Sequence, residues 1–252
     1  MRPSGVVGHV ILGILSATAA AAGLQSTGNE KIVRSIDVTD ARPILRAVEA
    51  LRERYHVAIT YEDPRYANSQ DLQDISYIHR GPLASGVKLI APRGGTINFT
   101  YQEVSGKPQE NVLSLIRRLL TEYAAQGGPV FDVLERTTPS GQEWNVIAMK
   151  ARGADGAFSN QPDILGAHIF VPKAKRSIAD MLVEMLQQLK TETGYRVVLG
   201  TTERGVGTAE LGADNVSARD VLLQLYGTSM VWDLNYDPEG EGMYVLNLLP
   251  NP

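Results

Sequence analysis

The sequence predicts a mixed α/β (α+β) protein: two tandem β-α-β-β-α-β-β modules, each with two helices packed on a small mixed sheet. Three observations lead there. First, the stretch from Asn215 to Leu249 changes period within a few residues, from a capped helix to alternating strands. Second, the same order of strand, capped helix and strand occurs earlier in the chain, so the plan is duplicated. Third, 252 residues with 43% hydrophobic and 21% charged side chains suffice for two small cores. With no cysteine, those cores must hold by burial alone.

Taken in order, Val6 to Ala17 is an apolar run followed by small-x-small sites at Ala17 to Ala22, which reads as a signal peptide over residues 1–22, cleaved near Ala22. The run is shorter than the roughly 20 residues a spanning helix needs, so no stable membrane insertion is expected after cleavage. The first module is expected over residues 32–150. Val33 to Val38 reads as a strand, Asp40 as a cap, and Pro43 as a first-turn residue of a helix whose apolar stripe is Ala41, Ile44, Leu45, Val48 and Leu51. His56 to Tyr61 follows as a strand. Residues 62–95 break the regularity with Pro64, Pro82 and Pro92, a long insertion with one short element near Leu72 to Ile78. Ile97 to Val104 resumes as a strand, Pro108 opens a second helix ending at Gly127-Gly128, and Val130 to Arg136 pairs with Glu143 to Met149.

Residues 151–163, rich in Gly, Ala, Ser and Asn, read as a linker, and residues 164–252 as the second module. Ile164 to Val171 is expected as a strand, Ser177 with Asp180 as a cap, and Gly194 as the stop of a helix burying Ile178, Met181, Leu182, Met185 and Leu189. Tyr195 to Leu199 and Gly205 to Leu211 are further strands. Ser217 with Asp220 caps the last helix, which stops at Gly227, and Met230 to Tyr236 and Met243 to Leu249 close the module.

Two segments, IDVTDARPILRAVEALRERYHVAITYED (36–63) and NVSARDVLLQLYGTSMVWDL (215–234), carry a resemblance. The first looks like the opening pattern, and the second like the closing pattern, of the small α/β module shared by secretins and TonB-dependent receptors, the secretin and TonB N-terminal (STN) domain. The likeness spans most of residues 32–149 and 164–249. It implies a periplasmic docking or signalling element and no catalytic residues. The 62–95 insertion departs from the compact family plan. No pore or barrel segment follows in this chain, so a channel partner is expected to be a separate polypeptide.

Chemistry-bearing motifs are sparse. Of four histidines, His9 lies in the signal, and His56, His79 and His168 lack a metal-ligand spacing. The acidic pairs Glu62-Asp63 and Asp71 with Asp74 lack the alternation of a calcium loop. Ser105-Gly106-Lys107 lacks the glycine spacing of a phosphate loop, and the acceptor triplets at Asn98 and Asn215 matter only in a eukaryotic secretory pathway. Trp144, Trp232, Tyr236 and Tyr244 read as sheet-core residues with a ligand-binding face as the alternative. A formal net charge of -4, with acidic residues around Arg117-Arg118 and Lys173-Lys175-Arg176, argues against nucleic acid. The sequence therefore nominates no catalytic, cofactor-binding or metal residue. It points to a periplasmic or secreted, non-enzymatic interaction protein with an envelope protein partner, 62–95 being the expected partner-specific element. The alternatives are a secreted hydrolase with its site at the junction of the modules, or a soluble binder of a small envelope ligand.

Overall fold

The computed structural model describes residues 31–78, 88–200, 207–239 and 242–252. The expected signal peptide, His9 and His79 lie outside the described residues. The first half runs β1 (Lys31–Asp40), α1 (Pro43–Tyr55), β2 (Ala58–Glu62), β3 (Leu72–Asp74), β4 (Ile90–Pro92), β5 (Gly95–Val104), β6 (Lys107–Pro108), α2 (Val112–Ala125), β7 (Val130–Thr138) and β8 (Gly141–Arg152). After β9 (Phe158–Asn160), the second half runs β10 (His168–Ser177), α3 (Ile178–Thr193), β11 (Val197–Leu199), β12 (Thr208–Ser217), α4 (Ala218–Tyr226), β13 (Met230–Asp237) and β14 (Met243–Pro250). The protein is a mixed α/β fold with helices packed on small mixed sheets.

Both halves use the same pairing. β1 lies antiparallel to β5, as β10 does to β12, and each ribbon covers a helix pair. Below the first pair β2 runs parallel to β8, which is antiparallel to β7; below the second β11 runs parallel to β14, which is antiparallel to β13. Each half buries its own apolar cluster. One is built on Ile44, Val48, Leu51, Leu115, Leu119 and Trp144, the other on Leu182, Met185, Leu222, Trp232, Leu234 and Leu246.

The halves do not have separate central sheets. β13 pairs parallel with β2, Asp233 opposite Tyr61 and Leu234 opposite Glu62, giving one sheet in the order β11-β14-β13-β2-β8-β7, with β9 on the far end of β8. Left-to-right order is the same in both halves, but equivalent strands point in opposite directions. A rotation about the axis lying across the strands relates them, so the helix pairs pack on opposite faces of the shared sheet. Alternation along β2 agrees: Ile59 and Tyr61 enter the first core, while Glu62 faces the side of Leu234 and the second core.

Several local expectations are corrected. Asp40 does not cap α1: Arg42 holds the cap position without a side-chain cap bond, and Asp40 Oδ1 accepts from Arg42 N–H at 2.8 Å as a turn. Pro108 belongs to β6, and Asn111, accepting from Ser114 N–H, caps α2. Residues 164–167 form a turn rather than a strand, with Ile164 and Leu165 buried, and β10 continues through Lys173, Lys175 and Arg176 to Ser177. The strand expected to end at Leu211 reaches Ser217, where its last residue caps α4. His56 ends α1 in the left-handed region (φ 50°) instead of opening a strand. The expected linker is ordered, β9 pairing with Lys150 to Arg152.

The described part of the 62–95 insertion is a strap. β3 pairs with β4, Arg152 reaches Asp71 at 3.3 Å, and Ile90 N–H donates to Glu239, which ties it to the β13 end of the second half. The strap closes at Gly94, whose φ is 70° and whose missing Cβ would fall 1.9 Å from the carbonyl oxygen of Asp40. A Gly94→Ala variant should lose more than about 1 kcal/mol, because neither the backbone angle nor the neighbouring backbone yields cheaply. Urea unfolding checks this, and an unchanged midpoint would refute it.

Candidate docking site

Of the acidic residues singled out in the sequence, Glu62 and Asp63 lie at the joint between halves, where arginines engage them, whereas Asp71 and Asp74 stay in the strap, beside Arg152 and Lys88. Arg219, at the start of α4 and 2% exposed, donates Nε and Nη2 to the Glu62 carboxylate at 2.8 and 2.9 Å, and Nη2 to Asp163 at 2.6 Å. On the opposite face Arg52 of α1 donates to Asp233 of β13 at 2.5 Å and to the Ile59 carbonyl. Each pair fastens a helix of one half to a strand of the other. Asp63 is a third junction: it accepts from Arg42 at 2.5 Å, from the Tyr61 hydroxyl at 2.6 Å and from Tyr236 N–H at 3.0 Å. Burial first, then the Asp63 charge, holds the Tyr61 hydroxyl well above its ordinary pKa. Charges so placed are structural; their hydrogen bonds point at each other and not into a groove.

Glu143 of β8 is the exception. It is fully buried, its Oε1 accepts from Asn145 Nδ2 at 2.5 Å, and its Oε2 has no partner among the described residues. Burial raises its pKa, against the pull of the Asn145 bond and of Arg136 and Arg219, with Glu62 adding repulsion. A carboxyl whose folded pKa is raised contributes stability that is complete below the unfolded value, about 4.3, and is lost as pH rises through the folded value. Glu143→Gln removes that titration. Its stability advantage over the parent, from urea unfolding, should therefore grow between pH 4.5 and 7.5; parallel curves would refute this.

The remaining expected residues do not converge. His168 Nδ1 lies 3.2 Å from Asn215 Oδ1 on the outer ribbon, and His56 stands at the end of α1. No group of three or more potential metal ligands occurs among the described residues. Arg118 is held by Glu110 and Glu122, Arg176 by Glu184 and Lys173 by Glu210, so each basic stretch is partly neutralised locally. Trp232, Tyr236 and Tyr244 are buried in the second core. No helix among the described residues is long and apolar enough to cross a membrane.

Two surface features remain in the first half. β7 ends the shared sheet, and among the described residues its outer edge has no strand partner. Asp132, whose carboxylate accepts from Val133 N–H at 2.7 Å, and exposed Glu135 blunt that edge against indiscriminate pairing. Next to it, below the N-terminus of α2, lies a groove of about 680 Å³ with Trp144 among its lining residues. Half-buried Val57, Pro108, Val112 and Leu113 form its apolar lining, and Arg54, His56, Lys107, Glu110, Glu135 and Gln142 add polar groups. The sequence pointed to Trp144 as a sheet residue but not to this groove, because its lining comes from five separate segments. No family model, curated protein or solved structure matches the chain.

Proposed function

We propose that this chain is an exported, non-enzymatic docking protein of the cell envelope, two STN-like modules fused side by side into one scaffold for a secretin- or TonB-associated partner. The observation that carries the reading is the nine-residue β7 edge, which has no strand partner among the described residues and forms one margin of a sheet that both halves build together. An extended partner segment can add to such an edge through main-chain hydrogen bonds while side-chain pockets choose among partners. The resemblance of residues 36–63 and 215–234 to the STN pattern supports the same reading, and the apolar run at Val6 to Ala17 supports export to the periplasm.

A photoreactive residue placed at Leu134 on the β7 edge, with a control at exposed Val183 on α3, tests this in cells. Fractionation should place the mature chain in the periplasm. One envelope protein should crosslink at Leu134 and not at Val183. Cytosolic retention, or the same capture at both positions, would overturn the proposal.

A further inference from the structure

We infer that copies of this chain join head to tail, the β7 edge of one receiving the β11 edge of the next. The inference shares the β7 edge with the docking reading but rests on the joint inside the chain, which already pairs one strand of each kind. β13 is to the second half what β7 is to the first, and β2 is to the first what β11 is to the second. Since β13 and β2 pair with each other, β7 and β11 stand at the two ends of the shared sheet, without further strand partners among the described residues.

The fold fixes which residues correspond. His56 and Gly194 both end their helices in the left-handed region, and their amides bond back to the carbonyls of Arg52 and Lys190. Lys190 therefore stands where Arg52 does, and counting on from the two caps matches Val197 with Ile59. Ile59 lies opposite Trp144 and Val197 opposite Tyr244; across the hairpins, Trp144 lies opposite Glu135 and Tyr244 opposite Tyr236. Counting back from Glu135 and Tyr236 matches Asp132 with Asp233. The ion pair that fastens the joint, Arg52 with Asp233, has its counterpart in Lys190 on α3 and Asp132 on β7.

In the joint both members are buried against each other. At the sheet ends both are exposed, and neither takes part in an ion pair among the described residues. Opposite charges that meet only across copies favour that one register over others. The Asp132 carboxylate meanwhile accepts from Val133 N–H on its own strand at 2.7 Å. Val133 corresponds to Leu234, whose carbonyl accepts from Asp63 N–H at the joint. An ammonium that draws the carboxylate away frees the Val133 amide for an incoming strand, so the edge opens to the partner that carries Lys190.

Strand direction agrees. Repeating the rotation that relates the halves sets β7 of one copy parallel to β11 of the next, as β13 is to β2. On the other face Leu113 of α2 stands where Arg219 does on α4, and Gly200 where Glu62 does, so the second charged pair of the joint is not repeated. One ion pair between exposed residues makes a contact that forms reversibly. The two surfaces differ, so copies add in a row, and the last β7 edge stays open for the envelope partner.

Sedimentation velocity of the full mature chain at low salt, over a wide range of concentration, tests this. The parent should associate as its concentration rises. Asp132→Lys and Lys190→Glu each set like charges against each other at the contact and should each weaken association about tenfold or more. Both residues are exposed, so the urea midpoint and far-UV circular dichroism of each variant should match the parent. Mixed in equal amounts, the two variants should associate again, since every contact between unlike copies then joins opposite charges. A parent that stays monomeric, a Lys190→Glu variant that associates like the parent, or a mixture no larger than its components would each overturn the inference. If the copies do not associate while Leu134 still captures an envelope protein in cells, the head-to-tail assignment falls alone. If they associate as described but the chain stays in the cytosol, the docking reading falls alone.

Discussion

Arg219→Ala should destabilise the protein by about 3–5 kcal/mol, because it strands Glu62 in the interior. Glu62 is 3% exposed, and Arg219 supplies both of its charged hydrogen bonds. Without the guanidinium, the carboxylate must ionise unpaired, take up a proton or drag water into the joint. A double variant, Arg219→Met with Glu62→Leu, removes both charges together with their desolvation costs and should recover most of the loss. Arg52→Ala repeats the experiment on the other face: it strands Asp233, also 3% exposed, and leaves the Ile59 carbonyl without this donor. Urea unfolding followed by far-UV circular dichroism measures all three. A loss below about 1 kcal/mol for both single variants would mean that water already reaches the joint, and the halves would not be tied as described.

Trp232→Ala should cost a similar amount, about 3–5 kcal/mol, by opening a cavity at the centre of the second core. Trp232 is 1% exposed and belongs to the same cluster as Leu182, Met185, Leu222 and Leu246, drawn from three other elements that cannot all close over the gap. Because the two apolar clusters are distinct, the substitution also asks whether the shared sheet makes unfolding cooperative. A single transition at lower urea is expected, since β13 carries both Trp232 and the pairing to β2. Two separated transitions would show that the first half stands alone, and a loss under 1 kcal/mol would mean that the cavity collapses.

Much of the fold was legible because its signals are local. The stripes of α1 and α3 appear as buried faces where the spacing put them, with Leu51 and Leu189 fully enclosed. The Ser177 and Ser217 caps have their predicted partners three residues on, Asp180 and Asp220. Asp40 misled because a carboxylate before a helix satisfies a turn amide as readily as a cap position; here it bonds Arg42 N–H. The strands β10 and β12 outran their apolar cores because the hydrogen bonds of a ribbon continue through polar residues such as Lys175 opposite Glu210.

The candidate site was less legible. Trp144 was visible as an aromatic on a strand, but that its indole N–H would lack an acceptor depends on what surrounds it in space. The acidic pair Glu62-Asp63 was visible too, but its partners Arg219 and Arg42 lie 157 and 21 residues away. No spacing rule links them.

By itself the sequence determined the mixed α/β class, the order of the main elements and the caps at Ser177 and Ser217, since periodicity and capping act over a few residues. Only the tertiary structure decided that β2 and β13 pair, that the two helix pairs lie on opposite faces of one sheet, and that the charges at the joint serve to hold it. Pairing between strands this far apart in the chain is fixed by register and burial, and a buried charge declares its role only when its neighbours are in place.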